Sequence, residues 1–89
     1  MAHILMIDDD AALREMTAEV LERDGHQVIA LSSGAELTQR HERWADCILL
    51  DVMMPGEDGF DICRRIRSRV DCPILMLRRR MRRQMCSPG

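Results

Sequence analysis

Cys47-Ile48-Leu49-Leu50-Asp51, followed by Val52-Met53-Met54-Pro55-Gly56-Glu57-Asp58-Gly59-Phe60, is the stretch that decides the fold. Four apolar residues in a row ending on an acid read as a short strand buried on both faces, as in a parallel sheet. The Pro-Gly-rich segment from Met53 to Gly59 is a loop. After it, Phe60, Cys63 and Ile66 trace a helical stripe, with Arg64, Arg65, Arg67 and Arg69 expected in solvent. Pro73 then opens another apolar run, Ile74 to Leu77.

Upstream the same alternation holds. His3 to Ile7 is a nearly continuous apolar run. Asp10 is placed to cap a helix whose inner stripe is Leu13, Met16, Val20 and Leu21. Arg14, Glu15, Glu19 and Glu22 fall on its wet side, and Gly25 sits where a C′ residue ends a helix. Val28 to Leu31 is a second strand, Ser32-Ser33-Gly34 a loop, and Ala35 to about Trp44 a weaker helix with few apolar anchors. Short apolar runs alternating with amphipathic stretches specify an α/β fold with a parallel sheet.

Eighty-nine residues make one small domain at most. A chain of this size buries only about 60–65% of its unfolded surface, so its stability margin is thin. The aromatic share is 2%, which leaves an aliphatic core of Ile, Leu, Val and the eight methionines. No apolar run approaches the roughly 20 residues that span a bilayer. The start carries no basic, then apolar, signal sequence, so a cytoplasmic location is expected. Cys47, Cys63, Cys72 and Cys86 form no CxxC pair and read as reduced, mostly buried thiols.

The net charge of −2 hides an asymmetry: residues 1–77 hold all fifteen acids against eight arginines, and residues 78–89 hold five arginines and no acid. The chain has no lysine. Arg78-Arg79-Arg80-Met81-Arg82-Arg83 shows neither strand alternation nor a helical face, and 78–89 is expected to be disordered.

In an open parallel sheet, sites form beyond the carboxyl ends of the strands. The first strand ends at Asp8-Asp9-Asp10 and the third at Asp51. If these strands are neighbours, three or four carboxylates converge, a costly arrangement unless a cation neutralises it. Mg²⁺, which takes one or two carboxylates together with phosphate oxygens, is the natural ligand. A carboxylate beside it can be a nucleophile toward a phosphoryl group. Asp10 reads as a helix cap before a ligand, and any lone aspartate at a strand end reads first as a turn residue. An acidic pair and a lone acid ending two buried strands together favour the site.

Met-Ile-Asp-Asp-Asp at 6–10, Leu-Leu-Asp-Val-Met-Met-Pro-Gly-Glu-Asp-Gly-Phe at 49–60 and Cys-Pro-Ile-Leu-Met-Leu at 72–77 resemble bacterial response-regulator receiver domains. The loop is most similar to the OmpR/PhoB class, whose output is a winged helix. The resemblance covers residues 3–77. It implies a flavodoxin-like, doubly wound sheet and phosphotransfer from a sensor histidine kinase. It maps Asp51 onto the phosphoacceptor, and Asp8 and Asp9 onto the pair that holds Mg²⁺ with Asp51. It makes the Met53 carbonyl a further metal ligand, and Pro55 and Gly59 the residues that shape the loop.

The chain departs from that pattern after Leu77. Arg78 stands where receivers carry a Thr or Ser, and neither the lysine nor the fifth strand that bears it is present. The expected sheet is therefore incomplete, of order 2-1-3-4, without strand five or the last two helices. Residues 1–77 form a partial receiver, and 78–89 read as an out-of-frame tail of a truncated product. One choice of GC-rich codons for this tail, read two bases later, encodes Pro-Gln-Asp-Glu-Ala-Ala-Asp-Val-Leu-Ala-Arg, which resembles the acidic loop and helix that a receiver has there. An exposed fourth strand invites self-association, and no DNA-binding domain lies in this chain. Phosphorylation with impaired switching is the resulting expectation. Two alternatives remain: an aspartyl-phosphate-type phosphatase using the DxD of Asp8-Asp9-Asp10, and a non-functional fragment whose basic tail binds nucleic acid.

Overall fold

The computed structural model describes residues 1–77. The arginine-rich stretch 78–89, with its expected disorder, Arg78 and Cys86, lies outside the described residues. Four strands and three α-helices alternate: β1 (His3–Ile7), α1 (Ala11–Arg23), β2 (Gln27–Leu31), α2 (Gln39–Trp44), β3 (Cys47–Asp51), α3 (Gly59–Ile66) and β4 (Ile74–Leu77). The strands are parallel in the order β2-β1-β3-β4, as expected from the sequence. Ile4 pairs with Cys47 and Ile7 with Leu50, so the next residues, Asp8 and Asp51, leave the sheet at the same level.

The chain steps from β1 to β2 on one side and back past β1 to β3 on the other. Right-handed crossovers in opposite directions put α1 on one face and α2 and α3 on the other. On the second face, Leu5, Ile7, Ile48 and Leu50 pack with Leu31, Ala45, Ile62 and Ile66 into one buried cluster. Ile4 and Met6, which alternate with Leu5 and Ile7, are buried on the other face.

Several helical expectations need correction. The stripe of α1 is only partly inward: Leu13 and Leu21 are half-buried, no residue of α1 is fully buried, and Met16 and Val20 are 54% and 51% exposed. The helix lies mainly over β2. The inward face of α3 is Gly59, Ile62 and Ile66, with Cys63 half-buried and Phe60 turned outward. Gly59 sets this rotation, because a Cβ there would lie 2.5 Å from the Asp51 carbonyl oxygen. The helix expected over 35–44 is broken into a 3-10 turn, Gly34–Glu36, and α2. Glu36 turns back to accept from the Ser32 amide and hydroxyl, and Thr38 starts a new helix by capping His41 N–H. The methionines contribute less core than expected: Met6 is buried, whereas Met1, Met16 and Met53 are exposed.

The caps were legible. Asp10 accepts from Leu13 N–H at the start of α1, and Gly25 takes φ 94° just beyond its end, where a Cβ would be strained. Cys47, Cys63 and Cys72 are free thiols, each half-buried rather than fully buried. Burial pushes the Cys47 and Cys72 thiols up from their ordinary range, which favours the uncharged form.

Candidate functional site

The two central strands deliver the site. Asp51, the last residue of β3, is fully buried, and Asp8, just after β1, is nearly so. Asp9 is exposed beside them. One carboxylate oxygen from each of Asp8, Asp9 and Asp51 falls within 4.8 Å of the other two. The register of β1 on β3 produces this convergence, at the point where the chain reverses its winding direction.

Backbone amides organise the carboxylates. Asp51 Oδ1 accepts from Met53 N–H at 3.1 Å, and Asp8 Oδ1 accepts from Asp10 N–H at 2.9 Å. These short turns aim each side chain over its own strand end. Asp10 itself is turned to the amide of Leu13 and is absent from the cluster, consistent with the capping role expected of it. Met53 has its side chain in solvent while its backbone stays beside Asp51.

The donor set consists of hard oxygens carrying formal charge, and three such groups at this spacing suit a hard divalent cation such as Mg²⁺. A cation there would offset the mutual repulsion of the carboxylates. It would also leave a carboxylate oxygen available to share with a phosphoryl ligand.

Residues 4–86 match the family described as the response regulator receiver domain. The chain belongs to that family. This receiver domain is 45% identical over 78 residues to the transcriptional regulatory protein AfsQ1 of Streptomyces coelicolor, with 86% of the chain and 35% of that protein covered. It is 49% identical over 78 residues to the transcriptional regulatory protein GltR of Pseudomonas aeruginosa, covering 83% of the chain and 32% of the relative. The receiver thus spans about a third of the length of such curated relatives. Among solved structures, it is similar to the BeF3-activated N-terminal receiver domain of Klebsiella pneumoniae RstA, with a TM-score of 0.80 at 28% identity over 91% of this chain and 70% of that one. It is also similar to Thermotoga maritima TrrA in complex with Mg²⁺-BeF, with a TM-score of 0.75 at 29% identity over 88% and 70% of the two chains.

Receivers are signalling modules rather than enzymes with a turnover substrate; they bind Mg²⁺ at an acidic pocket and are phosphorylated by histidine kinases. No helix among the described residues is long and apolar enough to cross a membrane.

Three arginines do more than the sequence suggested. Arg14, expected on the wet side of α1, donates from Nη1 to the Asp8 carbonyl at 2.8 Å and steadies the acidic end of β1. Arg65, expected in solvent, forks onto Glu57 through Nε at 2.8 Å and Nη2 at 3.0 Å. Arg69 forks onto Glu42, whose side chain is 6% exposed. The Arg69 hydrogen bonds hold the Glu42 carboxyl below its ordinary range against the opposing effect of burial. The partners are 8 and 27 positions apart in sequence, so no local periodicity could reveal either pair.

Proposed function

We propose that Asp51 is the phosphoacceptor of this receiver and that Asp8, Asp9, Asp51 and the Met53 carbonyl hold the Mg²⁺ it requires. The carrying observation is the convergence of three carboxylates at one strand-end level, with the central one buried. The hydrogen bond from Met53 N–H restrains the nucleophile's rotation, which supports its presentation to a phosphoryl group. An Asp51 carboxylate oxygen attacks phosphorus, and the bond from phosphorus to the donor nitrogen of a histidine kinase breaks. The electron pair leaves with that imidazole nitrogen, and the imidazole departs neutral because its other ring nitrogen carries a proton. The bound cation supplies charge neutralisation for the phosphoryl oxygens. The chain itself catalyses this transfer once; it does not turn over.

The relatives' names make transcription the output of the longer proteins, and the same output is our reading for a protein carrying this receiver. A phosphatase built on Asp8-Asp9-Asp10 is disfavoured, because it needs Asp10 in the site and Asp10 is committed to α1. β4 pairs only with β3 among the described residues and Leu75 is half exposed, which supports self-association of this 89-residue chain along β4. Without a lysine to meet the phosphoryl oxygens, we expect the chain to accept phosphate slowly and to transmit it poorly.

Incubation with acetyl phosphate tests the assignment. Label should depend on Mg²⁺, survive acid, hydrolyse in base and vanish in Asp51→Asn. Equal labelling of that variant refutes the acceptor.

A further inference from the structure

The loop from Asp51 to α3 is fixed at both ends by backbone: Val52 N–H donates to Leu77 carbonyl at 3.0 Å, and Gly59 N–H donates to Val52 carbonyl at 3.4 Å. Between them lie Met53, which orients Asp51, and Gly56, at φ 75°. Within this Pro-Gly turn Met54 packs against the core while the Met53 side chain is exposed, so packing holds only part of it. One further side chain ties it across to the turn after β2. The Arg65 guanidinium donates to both Glu57 oxygens, and its Nη2 also donates to the Gly34 carbonyl at 3.2 Å.

This junction joins the acceptor loop and α3 to a segment distant in sequence, the turn after β2. Its fit is close. Gly34 is buried, and a Cβ there would lie 2.6 Å from Glu57 Oε1 and 2.9 Å from the Ile62 side chain. Arg65 is itself seated on a well-anchored helix, because Asp58 and Asp61 form a capping box at the start of α3. A planar fork on a carboxylate fixes direction as well as distance, which a lysine could not do. The neighbouring pair Arg64–Asp61 lies within α3, is more exposed, and ties the helix only to itself.

We propose that Arg65 is a positioning residue for the site: its fork on Glu57 holds the acceptor loop in the shape that presents Met53 to Asp51 and to the cation. The ordering of the loop is independent of any metal. The effect on cation affinity rests on the reading of Asp8, Asp9, Asp51 and Met53 as ligands. Outer partners of metal ligands typically change affinity by about tenfold or more.

The 89-residue chain and its Arg65→Gln, Glu57→Gln and double variants would be compared by hydrogen–deuterium exchange and by Mn²⁺ binding followed by electron paramagnetic resonance. Arg64→Gln and Asp8→Asn serve as controls. Each single variant should raise amide exchange several-fold across 53–58 while β3 stays protected, and should weaken Mn²⁺ binding roughly tenfold. The double variant should be no worse than either single one, since one junction is lost once. Arg64→Gln should match the parent. Loop exchange within twofold of the parent in both single variants overturns the proposal. So does a rise spread equally over β3, which would make the fork a strut of the whole fold. A loosened loop with unchanged Mn²⁺ affinity overturns the link to the site if Asp8→Asn still abolishes binding. If Asp8→Asn binds as the parent does, the ligand assignment fails instead, and the exchange data alone decide the role of Arg65.

Discussion

The two faces of the sheet are built to different standards. Under α3, Ile62 and Ile66 are fully buried against Leu5, Ile7, Ile48 and Leu50, and the turn after β2, α2 and the acceptor loop close around them. Under α1, the sheet contributes Ile4 and Met6, but the helix buries no residue completely and leaves Met16 and Val20 half in water. Leu75, on the edge strand, is also half exposed. The difference shows where the stability of this chain resides and why the acidic site sits where it does. Asp51 ends the strand whose Ile48 and Leu50 belong to the closed face, so the best-packed layer positions the proposed nucleophile.

The largest expected effect breaks that contrast directly. Ile62→Ala should cost about 2–5 kcal/mol, because a close-packed site cannot collapse around the cavity. In a domain this small, that is a large part of the total stability. Val20→Ala, which removes two carbons rather than three on the open face, should cost under about 1 kcal/mol because about half of the residue was already in water. Urea melts read by circular dichroism measure both. Equal costs would mean that α1 is as well packed as α3.

A smaller effect sharpens the picture of the open side. Leu75→Lys places a charge on the exposed edge strand, a device that proteins use to block edge pairing. It should shift the 89-residue chain toward monomer in sedimentation velocity with little change in its urea midpoint. An unchanged association state would remove β4 from the proposed self-association surface.

The sequence made the closed face and the site legible for the same reason. Fully buried parallel strands are continuous apolar runs, and acids that end them stand out against hydrocarbon, so β1, β3, Asp8 and Asp51 could be read directly. The orientation of α3 differs from its stripe at Phe60, the largest apolar residue there, because the approach of Gly59 to the Asp51 carbonyl turns Ile62 inward beside Ile66 instead. The break before α2 was hidden because Glu36 and Thr38 make hydrogen bonds that compete with a continuous helix, and either residue is also tolerated inside one. Arg65 and Arg69 looked like solvent residues because charge on a helix says nothing about which distant loop will meet it. The partial cover of α1 is equally invisible, since a helical stripe reports an apolar face but not whether something lies opposite.

The smallest effect expected concerns the end of the molecule opposite the acidic site. Glu42 joins α2 to the turn after α3 through Arg69, and its carboxyl titrates below the ordinary value of 4.5 because the guanidinium hydrogen bonds favour its charged form. A carboxyl whose folded value is depressed stabilises the fold above its unfolded value and loses that contribution as pH falls through the folded one. Glu42→Gln should therefore lower the melting temperature at pH 7. The gap to the parent should begin to shrink below about pH 4.5 and close at lower pH. Arg69 is half exposed, so solvent screening keeps the gap small, and added salt should narrow it further. Thermal melts from pH 7 to pH 3 check the sign. A gap that persists unchanged to pH 3 would mean that Glu42 contributes through packing rather than through its charge.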